Sequence, residues 1–238
     1  VGRVSKLAAA KRQARACTGS SHFPFASLET RPTGRPAVTR CALNGGQQQS
    51  AFFSFSAMAY PIRDQQGLYF LTFTVVEWLD VFTRPLYKDI VVESLRFCQR
   101  HKGLELFAYC LMTNHLHLIA RAAEGHALSD IVRDFKKFTA RRVFEALLAN
   151  PQESRRQWLE WTLRKQGEFN PKNTFVQLWQ NHSHGVELKT EAVTQQKLDY
   201  VHQNPVRAGI CYQAEDYVYS SASCYAGLEA VLVVDLLF

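Results

Sequence analysis

The chain has 238 residues, 47% hydrophobic and 21% charged, which suits one core-forming domain with an appendage. No run approaches the roughly eighteen apolar residues of a membrane span. The N-terminus has scattered bases but lacks the apolar stretch and cleavage site of a secretory leader. Six cysteines without a C-x-x-C pair argue against a zinc ribbon and a disulfide scaffold, so reduced thiols in a cytoplasmic protein are expected.

The formal net charge of +7 is concentrated in residues 1–57. That stretch holds Arg3, Lys6, Lys11, Arg12, Arg15, Arg31, Arg35 and Arg40 against Glu29 alone. Residues 58–238 carry equal numbers of bases and acids, so an argument for nucleic-acid binding has to come from local basic faces. The first 57 residues also carry Pro24, Pro32, Pro36, a Gly45-Gly46 pair and the run Gln47-Gln48-Gln49-Ser50, without sustained periodicity. They read as a disordered basic tail. Met58 is the first methionine, so the tail also reads as an upstream extension of the reading frame. Residues 58–238 are expected to form the working domain.

Leu68–Val76 is dominated by aromatic and β-branched residues and reads as a central strand. Thr83 followed by Pro85 marks a helix start; Ile90, Val91, Leu95 and Cys98 give its stripe, and Gly103 ends it after His101 and Lys102. Leu104–Met112 reads as a second strand, Thr113-Asn114 as a tight turn, and His115–Ala120 as a third strand returning beside it. Ser129 is placed to cap a long helix reaching about Leu148, with an apolar stripe of Ile131, Val132, Phe135 and Phe138. A further helix over about Gln152–Gln166 carries Trp158 and Trp161. Phe175–Trp179 and Val186–Leu188 are short strand candidates. Thr190–Gln203 reads as a helix stopped by Asn204-Pro205, followed by an irregular tail with a late helix. A hairpin flanked by helices predicts a split β-α-β, ferredoxin-like α+β fold, its antiparallel sheet carrying helices packed on one face. The absence of a glycine-rich phosphate loop, a G-x-S-x-G elbow and H-E-x-x-H speaks against kinase, hydrolase and metalloprotease chemistry.

The strongest local pattern is Asn114-His115-Leu116-His117-Leu118-Ile119. Alternate strand residues share a face, so His115 and His117 point one way, about 6.6 Å apart along the strand. Leu116 and Leu118 point into the core. Two imidazoles on a rigid strand suit a divalent cation if a third ligand comes from elsewhere; two hydrogen-bonded structural histidines are the alternative. A second H-x-H, His182-Ser183-His184, precedes Gly185 and reads as a loop. In the later helix, Tyr200 and Asn204 are four residues apart and lie on one face, a nucleophile and an amide ligand or, alternatively, an ordinary packing tyrosine and a helix end.

Asn114–Ile119 after a hairpin turn, followed by Tyr200-Val201-His202-Gln203-Asn204-Pro205-Val206-Arg207-Ala208-Gly209, resembles the single-tyrosine HUH transposases of insertion-sequence type. The resemblance is closer to the branch of REP-associated tyrosine transposases. Tyr69-Phe70-Leu71-Thr72-Phe73, Trp179-Gln180 and Tyr219-Ser220-Ser221-Ala222 fit the same branch, and the likeness covers about residues 58–227. It implies a transposase that cleaves and rejoins single-stranded DNA at hairpin-forming repeats through a 5′-phosphotyrosine. His115 and His117 match the metal ligands and Tyr200 matches the nucleophile. Asn204 stands where the family places its third ligand, with Gln203 beside it. The implied cofactor is Mg²⁺ or Mn²⁺, and the implied partner is single-stranded DNA with a hairpin or repeat, bound by a monomer or homodimer. A domesticated, non-catalytic hairpin-binding protein and a metal hydrolase without a covalent step are the competing readings.

Arg133, Lys136, Lys137 and Arg141 recur at helical spacing after Ser129 and offer phosphate contacts in an otherwise neutral domain. Arg155, Arg156, Trp158 and Trp161 extend that surface if the tryptophans face outward.

Overall fold

The computed structural model describes residues 62–168, 176–181 and 183–238. The expected tail, residues 1–57, lies outside them. Four strands form one antiparallel sheet in the order β2-β3-β1-β4: β1 Tyr69–Thr74, β2 Leu104–Leu111, β3 His115–Ala122 and β4 His184–Glu187. This is the strand order of a split β-α-β, ferredoxin-like domain, and the α+β expectation holds. Helix α1 (Pro85–His101) links β1 to β2, and α2 (Leu128–Ala149) with α3 (Arg156–Glu168) links β3 to β4. Helix α4 (Glu191–Arg207) follows β4, and a short α5 (Ala222–Tyr225) lies near the end. No helix among the described residues is long and apolar enough to cross a membrane.

Strand alternation divides the sheet into two faces. Leu71 and Phe73 of β1, Leu106, Tyr109 and Leu111 of β2, and Leu116, Leu118 and Ala120 of β3 share one core with α1 and α2. Phe70, Phe107, Ala108, Cys110 and Ile119 share a second, smaller core with Leu198 and Val201 of α4. The register of β2 on β3 shifts between Leu106 and Ala108. A bulge of this kind leaves Phe107 without a partner and lets it join Ala108 on the α4 side. The sequence placed helices on one face only; α1 and α2 take that face, and α4 covers part of the other.

Several boundaries move. Thr83 does not cap α1; its hydroxyl accepts a hydrogen bond from Arg155, and Pro85 opens the helix. Gly103 does end α1, with φ +69 and a His126 ring atom 2.4 Å from where a Cβ would stand. Ser129 is not a cap either: α2 begins at Leu128 after Ala127, and the Ser129 amide donates to the Gln65 side chain. Thr190 caps α4, its side chain accepting from the Val193 amide. That helix continues through Pro205 to Arg207 instead of stopping at Asn204. The carbonyls of Asn204 and Pro205 are taken up by the amides of Ala208 and Ile210, so the turn after the proline keeps its bonds. Phe138 is 55% exposed and leaves the expected α2 stripe. Of the candidate strand 175–179, the described part forms a single bridge, Val75 with Trp179. The described cysteines, Cys98, Cys110, Cys211 and Cys224, are free thiols.

Candidate active site

The hairpin between β2 and β3 closes over Thr113-Asn114, the Met112 amide donating to the His115 carbonyl. Leu116 and Leu118 are anchored in the larger core, and this fixes His115 and His117 on the opposite face, under α4. Their ring centroids are 4.7 Å apart. His117 lies opposite Thr72 of β1, and its Nδ1 is 2.9 Å from the Thr72 hydroxyl. Phe70 stacks on the same ring at 5.4 Å. Burial pushes the His117 pKa down to about 3, and the charges of His115 and Lys197 add to the effect. The ring is therefore neutral at physiological pH. Its Nε2 is buried and has no hydrogen-bond partner, an unusual situation for a polar atom in a folded core.

His115 is held from two sides. Its Nδ1 is 2.7 Å from the Asn114 side-chain oxygen, and it hydrogen-bonds with the side chain of Asn204. Burial lowers its pKa, and the Asn204 contact pulls it partly back. Tyr200 lies one helical turn before Asn204 and meets His117 edge-on, centroids 5.2 Å apart. The four residues thus form two adjacent pairs, His117 with Tyr200 and His115 with Asn204. Of the two amides considered for the third position, Asn204 makes the contact, while Gln203 is exposed.

The site includes two cations the sequence reading did not single out. The Lys197 ammonium lies 4.9 Å from the Phe70 ring and 5.6 Å from that of Tyr200, and the Arg207 guanidinium lies 5.8 Å from Tyr200. Lys197, Tyr200, Asn204 and Arg207 follow i, i+3, i+7, i+10, a helical-face spacing visible in the sequence. His202 points elsewhere: its Nε2 is 2.9 Å from the Ser221 hydroxyl, which ties α4 to the segment bridging Cys110 and Ser220.

The second H-x-H is only partly described. His182 and the side chain of His184 lie outside the described residues. The backbone of His184 is not in a loop; it opens β4 and pairs with Thr72, which pairs with His117 on its other side.

The expected basic face of α2 is not one open row of charge. Arg133 pairs with Asp130 and Asp134 at 2.6 and 3.1 Å, and Arg141 pairs with Glu145 at 2.8 Å. The Lys136 amine donates to the Gln180 carbonyl at 2.6 Å, and burial lowers its pKa to about 8. Lys137 is exposed. Just before α3, Arg155 donates to the Asp80 carbonyl and the Thr83 hydroxyl, while Trp158 and Trp161 of α3 are 51% and 58% exposed.

Among the described residues no cluster of three His, Cys, Asp or Glu side chains is placed to hold a metal. Two imidazoles and one amide remain, and this donor set fits a divalent cation. The orphaned Nε2 of His117 supports the fit. A ring whose Nδ1–H donates to Thr72 presents a free Nε2 lone pair, the usual second-shell support of a metal-binding histidine.

A half-covered antiparallel sheet thus sets two histidines of lowered pKa against a helical tyrosine. Residues 68–163 match the model of the IS200-like transposase family. That segment contains both histidines, whereas Tyr200 and Asn204 lie beyond it and are joined to the pair by the fold. A REP-associated tyrosine transposase bound to a REP hairpin is similar at 17% identity, with a TM-score of 0.46 over 73% of this chain and 88% of that one. A candidate transposase from Deinococcus radiodurans R1 is similar at 23% identity, with a TM-score of 0.37 over 56% of this chain and 87% of that one. No curated protein matches the chain.

Proposed function

We propose that the chain is a transposase that cleaves and rejoins single-stranded DNA through a covalent link at Tyr200. The observation that carries this reading is the tyrosine ring 5.2 Å from the neutral His117, whose buried Nε2 has no partner. His115, His117 and Asn204 would hold Mg²⁺ or Mn²⁺, and the ion would neutralise charge on the phosphate and polarise its phosphorus. Lys197 and Arg207 flank the tyrosine and draw the phosphate towards it. The Tyr200 oxygen attacks phosphorus, its bond to phosphorus forms, and the bond to the 3′-oxygen breaks. The phenolic proton leaves through water, and a proton is taken up by the departing 3′-oxygen. The products are a 5′-phosphotyrosine and a free 3′-hydroxyl. Because the phosphoester bond is conserved, attack by another 3′-hydroxyl reverses the step and joins strands without a nucleotide cofactor. A cognate hairpin beside the cleaved strand is the proposed recognition element, bound by a monomer or homodimer.

The test is covalent trapping. An oligonucleotide containing repeats from the flanking DNA should form an adduct with wild-type protein in Mn²⁺, with the label on a Tyr200 peptide. Tyr200→Phe should bind the same DNA and form no adduct. Undiminished adduct in that variant would remove Tyr200 from the chemistry. Tight hairpin binding with no adduct in either protein would favour the non-catalytic binder.

A further inference from the structure

Three of the four tryptophans are exposed: Trp78 at 64%, Trp158 at 51% and Trp161 at 58%. The fourth, Trp179, is buried and donates to Thr139. Exposed apolar side chains are ordinary when scattered singly; the placement of these three sets them apart. Trp78 follows β1 in a two-residue excursion between the buried Val76 and Leu79. Glu77 and Trp78 have φ of 53 and 54, and among the described residues they are the only non-glycine residues with positive φ. Strained backbone of this kind persists only where its surroundings hold it, and it concentrates at functional sites.

The excursion is held from two directions. Asn114 donates to the Trp78 carbonyl at 3.3 Å, and the same side chain lies 2.7 Å from His115 Nδ1. One amide therefore joins the tryptophan to the histidine site. From the other side Gln166 of α3 donates to Glu77 at 2.8 Å, and Arg155, just before α3, donates to the Asp80 carbonyl at 3.0 Å. Helix α3 is thus clamped at both ends to the segment carrying Trp78. Its outer stripe carries Trp158 and Trp161, with the Lys165 ammonium 4.6 Å from the Trp161 ring.

We propose that Trp78 is a stacking platform for an unpaired base next to the scissile phosphate, and that Trp158 and Trp161 extend the platform along the strand. The inference rests on the single-stranded DNA reading above and adds to it where the strand lies. Aromatic faces accept any base, whereas a protein partner would demand shape-matched apolar neighbours; here the neighbours are polar, the Glu77 carboxylate engaged by Gln166 and the Lys165 ammonium over the Trp161 ring. Single-stranded nucleic acid is the occupant that uses flat rings and cations together.

The experiment measures binding of the full chain to a labelled, short oligodeoxythymidine by anisotropy, alongside an abasic strand with the same phosphates. Trp78→Ala should weaken oligodeoxythymidine binding roughly fivefold to a hundredfold. Trp78→Phe should restore most of it, and neither variant should change the salt slope, because no phosphate contact is lost. Wild type and Trp78→Ala should bind the abasic strand equally. Equal oligodeoxythymidine binding by the two would overturn the proposal, as would an equal abasic penalty in both. Self-association of the wild type that Trp78→Ala abolishes would also overturn it, assigning the patch to a second copy. Failure of the platform leaves the Tyr200 adduct intact; failure of the Tyr200 reading leaves the Trp78 dependence of binding intact.

Discussion

The two faces of the sheet differ in how completely they are covered. The face under α1 and α2 is packed shut: Leu71, Phe73, Leu106, Leu111, Leu116 and Leu118 are at most 2% exposed and share one hydrophobic core, whose own unpartnered buried polar atom is the Tyr109 hydroxyl. The face under α4 is covered over only part of its area. There the same strands present Thr72, His115 and His117, and one buried imidazole nitrogen lacks a partner. Strand β3 takes part in both, Leu116 pointing one way and His117 the other. The dry face supplies the rigidity and the half-covered face the polar groups, so substitutions one residue apart should have opposite effects.

The largest expected effect is on chemistry. His117→Leu should reduce metal-dependent cleavage by several orders of magnitude, because one of two imidazole donors is gone. Its thermal stability should change by no more than about 1 kcal/mol, since an unsatisfied buried nitrogen is removed while the Thr72 hydroxyl loses its partner. Leu116→Ala should cost about 3 kcal/mol through loss of buried methyls and a residual cavity, while the protein that remains folded still cleaves. Denaturant unfolding and single-turnover cleavage of both variants check this. A His117→Leu protein as destabilised as Leu116→Ala would show that the two faces do the same work.

Cation binding sharpens the same contrast without reference to activity. A ligand that binds only the folded state stabilises it by about 2.7 kcal/mol at about a hundredfold excess over Kd. Mn²⁺ should therefore raise the Tm of wild type and of Leu116→Ala by similar free energies, and leave His117→Leu unmoved. Equal shifts in all three would place the ion elsewhere.

A smaller effect is expected at α2. Lys137→Ala should lower the salt dependence of DNA binding by about one phosphate contact. Lys136→Ala should leave the slope unchanged, because its amine is engaged with the Gln180 carbonyl. Equal slopes for Lys136→Ala and Lys137→Ala, both below wild type, would restore the continuous basic face that the sequence suggested.

The pattern of success in the sequence follows from what each signal measures. Strands β1 to β3 were legible because alternation and turn residues act locally, and that alternation alone put both histidines on one face. The Tyr200 to Asn204 spacing was equally local. The role of Asn204 over Gln203 depended on where α4 docks, which spacing does not encode. The helix end was misplaced because Pro205 was weighed without the amides of Ala208 and Ile210 that satisfy the last turn. Ser129 and Thr83 looked like caps by residue type, but Gln65 and Arg155, distant in sequence, had already engaged them. The basic row of α2 set four bases against Asp130 and Asp134 without pairing them, and left out Glu145, although all three lie at pairing distance along the same helix. Trp158 and Trp161 were ambiguous because a tryptophan fits a core and a contact surface equally well. Trp78 was missed because no composition signal marks a strained two-residue excursion.

The smallest effect concerns His202, which bonds to Ser221 and stands apart from the His115 and His117 pair. Burial pushes its pKa down to about 4, with Asp199 pulling weakly the other way, and its ring packs against Tyr225. An unfolded histidine titrates near pH 6.5. Between those values the unfolded chain binds a proton that the native state refuses, so unfolding gains as the pH falls. The contribution of His202 is complete above about pH 6.5 and disappears as the pH drops towards about 4. His115 and His117 are shifted in the same direction and share this acid limb. His202→Gln can keep a hydrogen bond to Ser221 but cannot titrate. Its Tm should equal that of wild type or fall slightly at pH 7.5, and decline less steeply between about pH 6.5 and 4.5. If His115 and His117 hold the proposed ion, Mn²⁺ should steepen the limb in both proteins, because the ion would compete there with protons. If His202→Gln loses stability with acid as steeply as wild type, the acid sensitivity belongs to other groups, His115 and His117 among them. Position 202 would then contribute packing and its bond to Ser221, with no share in the pH response.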